Sequence, residues 1–221
     1  MKILITGTSS GIGLAIARKF LQEGHHVIGF DILSSSIEDA HYHHYMIDVR
    51  DKAAYPKDLD PDILVNCAGV QDEASAIDVN LRGTINMTEA YAFNNPQLRA
   101  VVNIGSASGH TGSEFPEYAA SKGGMISYTK NVALRLAPQA TCNSIDPGGV
   151  RTPLNDCVMN DEVLWNQIME LTPLKRWAEP EEIADWVYFV GVVNKFMTGQ
   201  NLLIDGGEAG NCNFIWPEEL K

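Results

Sequence analysis

Residues 3–31 read ILITGTSSGIGLAIARKFLQEGHHVIGFD, and this stretch decides the fold. The apolar run Ile3–Thr6 passes directly into Thr6-Gly7-Thr8-Ser9-Ser10-Gly11-Ile12-Gly13. Ile12, Ile16, Phe20 and Leu21 then recur at helical spacing, and a second apolar run, His26–Phe30, ends at Asp31. Glycines in such a turn let backbone N–H groups approach a pyrophosphate at the positive end of the following helix. Three glycines alone are weak evidence. Strand, glycine turn, helix, strand and terminal carboxylate together are a specific dinucleotide-binding pattern. Candidate cofactor-binding residues are therefore Gly7, Ser9, Ser10, Gly11, Ile12 and Gly13, with Asp31 and its neighbour Ile32.

A carboxylate at Asp31 can accept from both hydroxyls of an adenosine ribose, and it repels a 2′-phosphate. At about 4 Å and an effective dielectric near 20, like charges cost roughly 4 kcal/mol. The loop and the positions just after Asp31 hold no Arg or Lys to offset this. The expected cofactor is NAD. Gly7-Thr8-Ser9-Ser10-Gly11 also matches the G-x-S-x-G elbow of α/β-hydrolases. That elbow normally follows several strands, whereas only six residues precede this one; ester turnover lost on Ser9→Ala would reveal it. Gly-Lys-Ser/Thr is absent, so this is not a P-loop.

Outward from this unit, short apolar runs recur at Tyr45–Val49, Ile63–Asn66, Ala100–Ile104, Thr141–Ile145 and Leu202–Ile204. Helical faces separate most of them: Ile85/Ala90/Phe93, Met125/Ile126/Tyr128/Val132/Leu136 and Ile183/Val187/Val190. Strands alternating with helices imply parallel βαβ units with both faces of the sheet covered. The chain has 221 residues, 45% of them apolar and 20% charged, which suits one domain spanning 1–221. Its least periodic stretch, 153–178, reads as a lid or pocket wall. A formal charge of −12 argues against nucleic acid and anionic membranes as partners. No apolar run reaches membrane-spanning length, and the start MKILITG lacks a signal-peptide pattern, so the expectation is a cytoplasmic protein. The cysteines Cys67, Cys142, Cys157 and Cys212 form no CxxC pair and read as reduced thiols.

Tyr118-Ala119-Ala120-Ser121-Lys122 places a phenol and an ammonium on one helical face, and Ser106 lies twelve residues upstream. A free phenol titrates near 10, and a neighbouring ammonium favours the phenolate. Ser106 is then placed to hydrogen-bond a substrate oxygen.

On these motifs the chain resembles the short-chain dehydrogenase/reductase family, over almost all of its length from Lys2 to about Gly207. Further similar segments are Asp48-Val49, which in the family contacts adenine, and Asn66-Cys67-Ala68-Gly69, which lies along the cofactor. Asn80 looks like the asparagine that holds a water in a proton relay. The run Asp146-Pro147-Gly148-Gly149-Val150-Arg151-Thr152-Pro153 looks like the segment that grips the nicotinamide, and Thr198–Gly207 like the closing strand.

The resemblance implies a doubly wound Rossmann-type α/β domain with a mostly parallel seven-stranded sheet in order 3-2-1-4-5-6-7. It implies hydride transfer between NAD and a secondary alcohol or ketone without a metal. Asn80, Ser106, Tyr118 and Lys122 are the expected catalytic residues. Tyr118 and Lys122 also join Asp48, Val49, Asn66, Ala68, Gly69, Pro147, Gly148, Val150 and Thr152 as cofactor contacts. A homodimer or homotetramer is expected on the same ground. A non-catalytic NAD-sensing or scaffolding protein of the same fold is the alternative, tested by Tyr118→Phe.

The chain departs from the family pattern in places. The Gly69–Asn80 and Asp48–Ile63 connections are short, which should trim one rim of the cleft. The Ser106–Tyr118 spacing is one residue short, which leaves Ser108 as the alternative serine. The tail Glu208–Lys221, with Phe214, Ile215, Trp216 and Pro217, carries no family motif; its apolar cluster reads as cover for a pocket or a neighbouring subunit. His41 and His43 would share a strand face and could ligate a metal, although polar residues on an edge strand also discourage pairing. His110 reads either as a substrate contact or as a loop histidine, and Trp165, Trp177, Met159 and Met169 flank the lid.

Overall fold

The computed structural model describes residues 1–113 and 115–210. Cys212 and the tail cluster Phe214–Pro217 lie outside the described residues. Seven parallel strands form one sheet: β1 (Lys2–Thr6), β2 (His26–Asp31), β3 (Tyr42–Met46), β4 (Ile63–Asn66), β5 (Ala100–Ile104), β6 (Thr141–Pro147) and β7 (Asn201–Ile204). Their order is β3-β2-β1-β4-β5-β6-β7, as expected, and every pairing is parallel. The order reverses between β1 and β4, so the loops after these strands open a crevice at the strands' carboxyl ends, where ligands bind in such sheets.

Helices cover both faces. On one face α1 (Gly11–Gln22) packs Ile16, Ala17 and Phe20 onto Ile3, Ile5 and Val65. On the other, α2 (Thr84–Tyr91) brings Met87 and Tyr91 against Leu4, Phe30 and Leu64. A four-residue helix, α3 (Ser108–Thr111), follows β5, and the long α4 (Pro116–Leu136) runs back beside β6. Beyond β6 come α5 (Asp156–Met159), α6 (Glu162–Leu171) and α7 (Pro180–Tyr188).

Two local readings of the sequence are corrected. The third strand is Tyr42–Met46 and not Tyr45–Val49. Its ladder with β2 runs from Val27↔Tyr42 to Asp31↔Met46 and ends with Ile47 N–H donating to the Asp31 carbonyl. Ile47 and Val49 are buried beyond the strand's end, so their apolarity reports packing and not strand pairing. The second correction is the face of α2: Ala90 is exposed, and the buried positions include Thr84, Met87, Thr88 and Tyr91. The two threonines return their hydroxyls to the Asn80 and Thr84 carbonyls, which lets a polar residue lie on an apolar face. A π-helical turn, Ile77–Gly83, leads into this helix and carries Asn80. No described helix is long and apolar enough to cross a membrane.

Candidate active site

A cleft of about 1010 Å³ runs across the carboxyl ends of the strands. Its floor begins at the glycine turn. Gly7 and Gly11 have φ of +77° and +52°, and at Gly13 a Cβ would stand 1.9 Å from the Gly7 carbonyl oxygen. The turn is closed by backbone contact alone. Ser10 caps α1 without using its side chain, and the first turn of the helix holds no acidic residue. The N-terminal N–H groups of a twelve-residue helix therefore meet the cleft with no competing carboxylate, as a bound pyrophosphate requires. The turn fits the cofactor the sequence implies.

At one end of the cleft Asp31 is fixed by two backbone donors. Ser9 N–H donates to Oδ2 at 2.9 Å and Leu33 N–H to Oδ1 at 2.9 Å. Asp48 is bound by Arg50, whose Nη2 lies 2.6 Å from Oδ2, and this guanidinium holds the Asp48 carboxyl below its usual range. Ile32, Val49 and Arg50 line the same end. Arg50 belongs to none of the sequence motifs, although its place two residues after Asp48 is a visible signal.

At the other end the catalytic candidates come together. Tyr118 and Lys122 stand one turn apart on α4, with Nζ 5.6 Å from the phenol ring centroid. Lys122 is buried, and its Nζ donates to the Ile104 carbonyl at 2.9 Å. Ser106 and Ser108 both line the cleft with hydroxyls 3.2 Å apart; the Ser106 Oγ also accepts from Ser108 N–H. The short spacing to Tyr118 thus leaves both serines at the site. Ala68, Gly69, Pro147, Gly148, Val150 and Thr152 line the cleft as well.

Three candidates lie outside the lining. Ser9 is spent on Asp31 and on the Leu33 carbonyl, which its Oγ reaches at 3.1 Å. Asn66 is buried and donates from Nδ2 to Asn103 and Thr88. Asn80 is fully buried: its Oδ1 accepts from Val70 N–H, and its Nδ2 donates to the Val70 carbonyl and to Ser121. It braces the wall that follows Gly69. Cys67 lines the floor, and burial pushes its thiol up to about 12, so it remains a thiol at neutral pH.

Residues 153–178 supply one wall. Leu154, Val158, Ile168 and Leu171 face the cleft, and no residue of α6 is buried, so this helix leans over the opening without joining the core. Trp177 lines the cleft and packs edge-on against Trp165 at 5.0 Å. Among the described residues no three His, Cys, Asp or Glu side chains could hold a metal ion together. His41 packs edge-on against His26, and His43 against Tyr45.

His110 turns away from the cleft to Asp146, whose Oδ2 lies 2.6 Å from Nε2. Asp146 is wholly buried at the base of the Pro147-Gly148 turn. Burial raises its pKa, while the Ser144 hydroxyl and His110 act against that rise. Well below pH 4 the carboxyl is protonated in the folded and unfolded states alike. As pH rises from there through the raised folded value, the folded state must ionise a buried group and loses stability. Asp146→Asn removes this charge. Its melting temperature relative to the wild type is expected to rise between pH 4.5 and 8 by roughly 2–4 °C, the shift that about 1 kcal/mol produces at this size. A difference that stays flat in thermal melts across that range would contradict it.

The profile of the enoyl-(acyl carrier protein) reductase family matches residues 7–208. The chain is 32% identical to the 3-oxoacyl-[acyl-carrier-protein] reductase FabG of Thermotoga maritima, over 92% of this chain and 96% of that protein. It is 30% identical to the 2,3-dihydro-2,3-dihydroxybenzoate dehydrogenase of Bacillus subtilis, over 92% and 94%. A structure of 4-hydroxyisoleucine dehydrogenase complexed with NADH superposes with a TM-score of 0.89 at 30% identity, covering 96% of this chain and 99% of that one. The ligand-free aldohexose dehydrogenase of Thermoplasma acidophilum superposes with a TM-score of 0.86 at 28% identity, over 98% and 97%.

Proposed function

The chain belongs to the short-chain dehydrogenase/reductase family, and from that premise we propose that it interconverts a secondary alcohol and a ketone with NAD as its redox partner. The observation that carries this reading is one cleft holding the glycine turn and Asp31 at one end and Tyr118, Lys122 and Ser106 at the other. NAD, when bound, supplies or accepts the hydride. Gly7, Ser10, Gly11, Ile12 and Gly13 hold its pyrophosphate, Asp31 and Ile32 the adenosine ribose, and Asp48 and Val49 the adenine. Ala68, Gly69, Pro147, Gly148, Val150 and Thr152 hold the nicotinamide half, and Ser9 and Asn66 support these walls from behind.

Tyr118 transfers the proton at the substrate oxygen, as acid in reduction and as base in oxidation. Lys122 favours the phenolate, and its bond to the Ile104 carbonyl fixes its position. Ser106 donates to the substrate oxygen while Ser108 N–H orients the serine. Asn80 shapes the wall beside Lys122, where a Cβ on Gly69 would come within 3.7 Å of Nζ. The segment 153–178 acts as the lid that excludes water from the reacting atoms. A homodimer or homotetramer belongs to the same reading, supported by the exposed Trp186, Phe189 and Phe196 beyond the core of α7.

The test is a pair of fluorescence titrations with NADH and NADPH at one salt concentration, followed by an NAD-linked screen of secondary alcohols and ketones. NADH binding at least about tenfold tighter, a difference of roughly 1.4 kcal/mol, and turnover of a member of the panel are expected. Absence of binding by either nucleotide would remove the reading.

A further inference from the structure

The edge strand β3 carries Tyr42 and His44 on one face, two residues apart, where polar side chains ordinarily serve only to discourage pairing with another sheet. Here they are turned inward. The Tyr42 hydroxyl lies over Gly29 of β2, and a methyl group at that glycine would stand 2.2 Å from Oη and 2.5 Å from Thr8 Oγ1. The strand interior lacks a side chain at that point because a hydrogen-bonded chain crosses it.

The donors and acceptors of this chain follow from its ends. The Leu33 carbonyl can only accept, so His44 Nε2, at 2.9 Å, carries a proton and donates to it. In the neutral ring Nδ1 is then an acceptor, and Tyr42 Oη donates to it at 2.9 Å. Thr8 Oγ1, fully buried, is left to donate to Tyr42 Oη at 2.8 Å. The tautomer is the one this network dictates.

Thr8 is the neighbour of Ser9, and Ser9 reaches the same Leu33 carbonyl through its Oγ while its N–H holds Asp31. Leu33 N–H holds the other oxygen of Asp31. The chain Thr8–Tyr42–His44–Leu33 and the arm Ser9–Asp31–Leu33 therefore close a ring around the Asp31 carboxylate. It joins the glycine turn, the end of β2 and the edge strand. Asp31 and Leu33 line the cleft, whereas Thr8, Tyr42 and His44 do not.

We propose that His44, acting through Tyr42 and Thr8, is a positioning residue for the adenosine end of the cofactor: the ring it closes fixes Asp31 and Leu33 in the arrangement that seats a ribose. The inference rests on the reading of Asp31 as the ribose acceptor. Without His44 the Leu33 carbonyl loses one of its two donors, and the Tyr42 and Thr8 hydroxyls lose their direction. The turn after β2 is then free to move, and the cost falls on the adenosine half of the ligand.

The experiment uses the full chain and NADH as the probe, with His44→Ala, His44→Gln and Tyr42→Phe. Three quantities are read: the NADH dissociation constant, the emission maximum of the bound nicotinamide at saturation, and the melting temperature of the ligand-free protein. His44→Ala and Tyr42→Phe are expected to weaken NADH about tenfold with the nicotinamide emission unchanged, and to lower the melting temperature by no more than a few degrees, because each leaves a hydroxyl of the chain short of a partner. His44→Gln keeps one donor and one acceptor on its amide and is expected to recover most of that loss. Binding by His44→Ala within twofold of the wild type would overturn the proposal. So would a glutamine variant as weak as alanine, or a loss that moves the nicotinamide emission equally. If His44→Ala does not fold, Tyr42→Phe, which removes one oxygen and keeps the ring's packing, decides alone. A wild type that binds no NADH removes the cofactor reading and this proposal together. A wild type that binds, with unaltered variants, removes only this one.

Discussion

Tyr118→Phe is expected to lower turnover about 10³-fold, a loss of roughly 4 kcal/mol of transition-state stabilisation, while NADH binding changes by less than about threefold. The substitution deletes one oxygen and retains the ring. The ring stands on α4 one turn before Lys122, with Nζ 5.6 Å from its centroid, so packing and the lysine's bond to Ile104 should survive. The reaction loses the atom that exchanges a proton with the substrate oxygen. A kcat within tenfold of the wild type, on any substrate found in the alcohol and ketone screen, would refute the tyrosine mechanism. It would then shift attention to Ser106 and Ser108, whose hydroxyls line the same cleft. A variant that also failed to bind NADH would instead show Tyr118 shaping the cofactor seat.

What the sequence made legible follows the range of the interactions involved. The glycine turn, Asp31 and the Tyr118/Lys122 pair are set by neighbours a few residues away, so their pattern is visible in one dimension. The sheet order followed as well, because parallel strands joined by helices leave few topologies. Side chains whose role depends on distant partners were not legible. Asn80 is legible as a site residue, but its side-chain partners Val70 and Ser121 are not, since only folding brings them to it. Ile47 and Val49 look like a strand because burial and strand pairing leave the same apolar signature. Thr84 and Thr88 hide a buried helix face behind hydroxyls that return to their own backbone. His44 and Tyr42 lie on an edge strand, where polar residues are ordinary, and only the fold sets Gly29 and Thr8 against the Tyr42 hydroxyl.

Asp31→Ser is expected to reverse the cofactor preference, with NADPH binding tightened by up to roughly a thousandfold, since at about 4 Å and an effective dielectric near 20 one like charge costs roughly 4 kcal/mol. NADH should weaken at the same time, because a hydroxyl replaces a carboxylate that can accept from two ribose oxygens. The structure sharpens this expectation by removing the usual escape. A basic side chain near the adenosine ribose could answer a 2′-phosphate even beside an aspartate, and Arg50 does line that end of the cleft. Its guanidinium, however, makes three short contacts to Asp48, of 3.0, 3.1 and 2.6 Å, which leave its charge largely answered. Asp31 itself cannot swing aside, since Ser9 and Leu33 N–H groups hold both of its oxygens. The carboxylate is thus fixed in place with no free cation beside it among the described residues at that end. Titrations of the wild type and Asp31→Ser with both nucleotides at one salt concentration decide the point. A wild type that prefers NADPH would mean that Arg50 leaves Asp48 when a phosphate arrives, and Arg50→Ala should then abolish the preference. An unchanged ratio in Asp31→Ser would mean that the ribose is read elsewhere, and the ring around Asp31 would lose its function along with it.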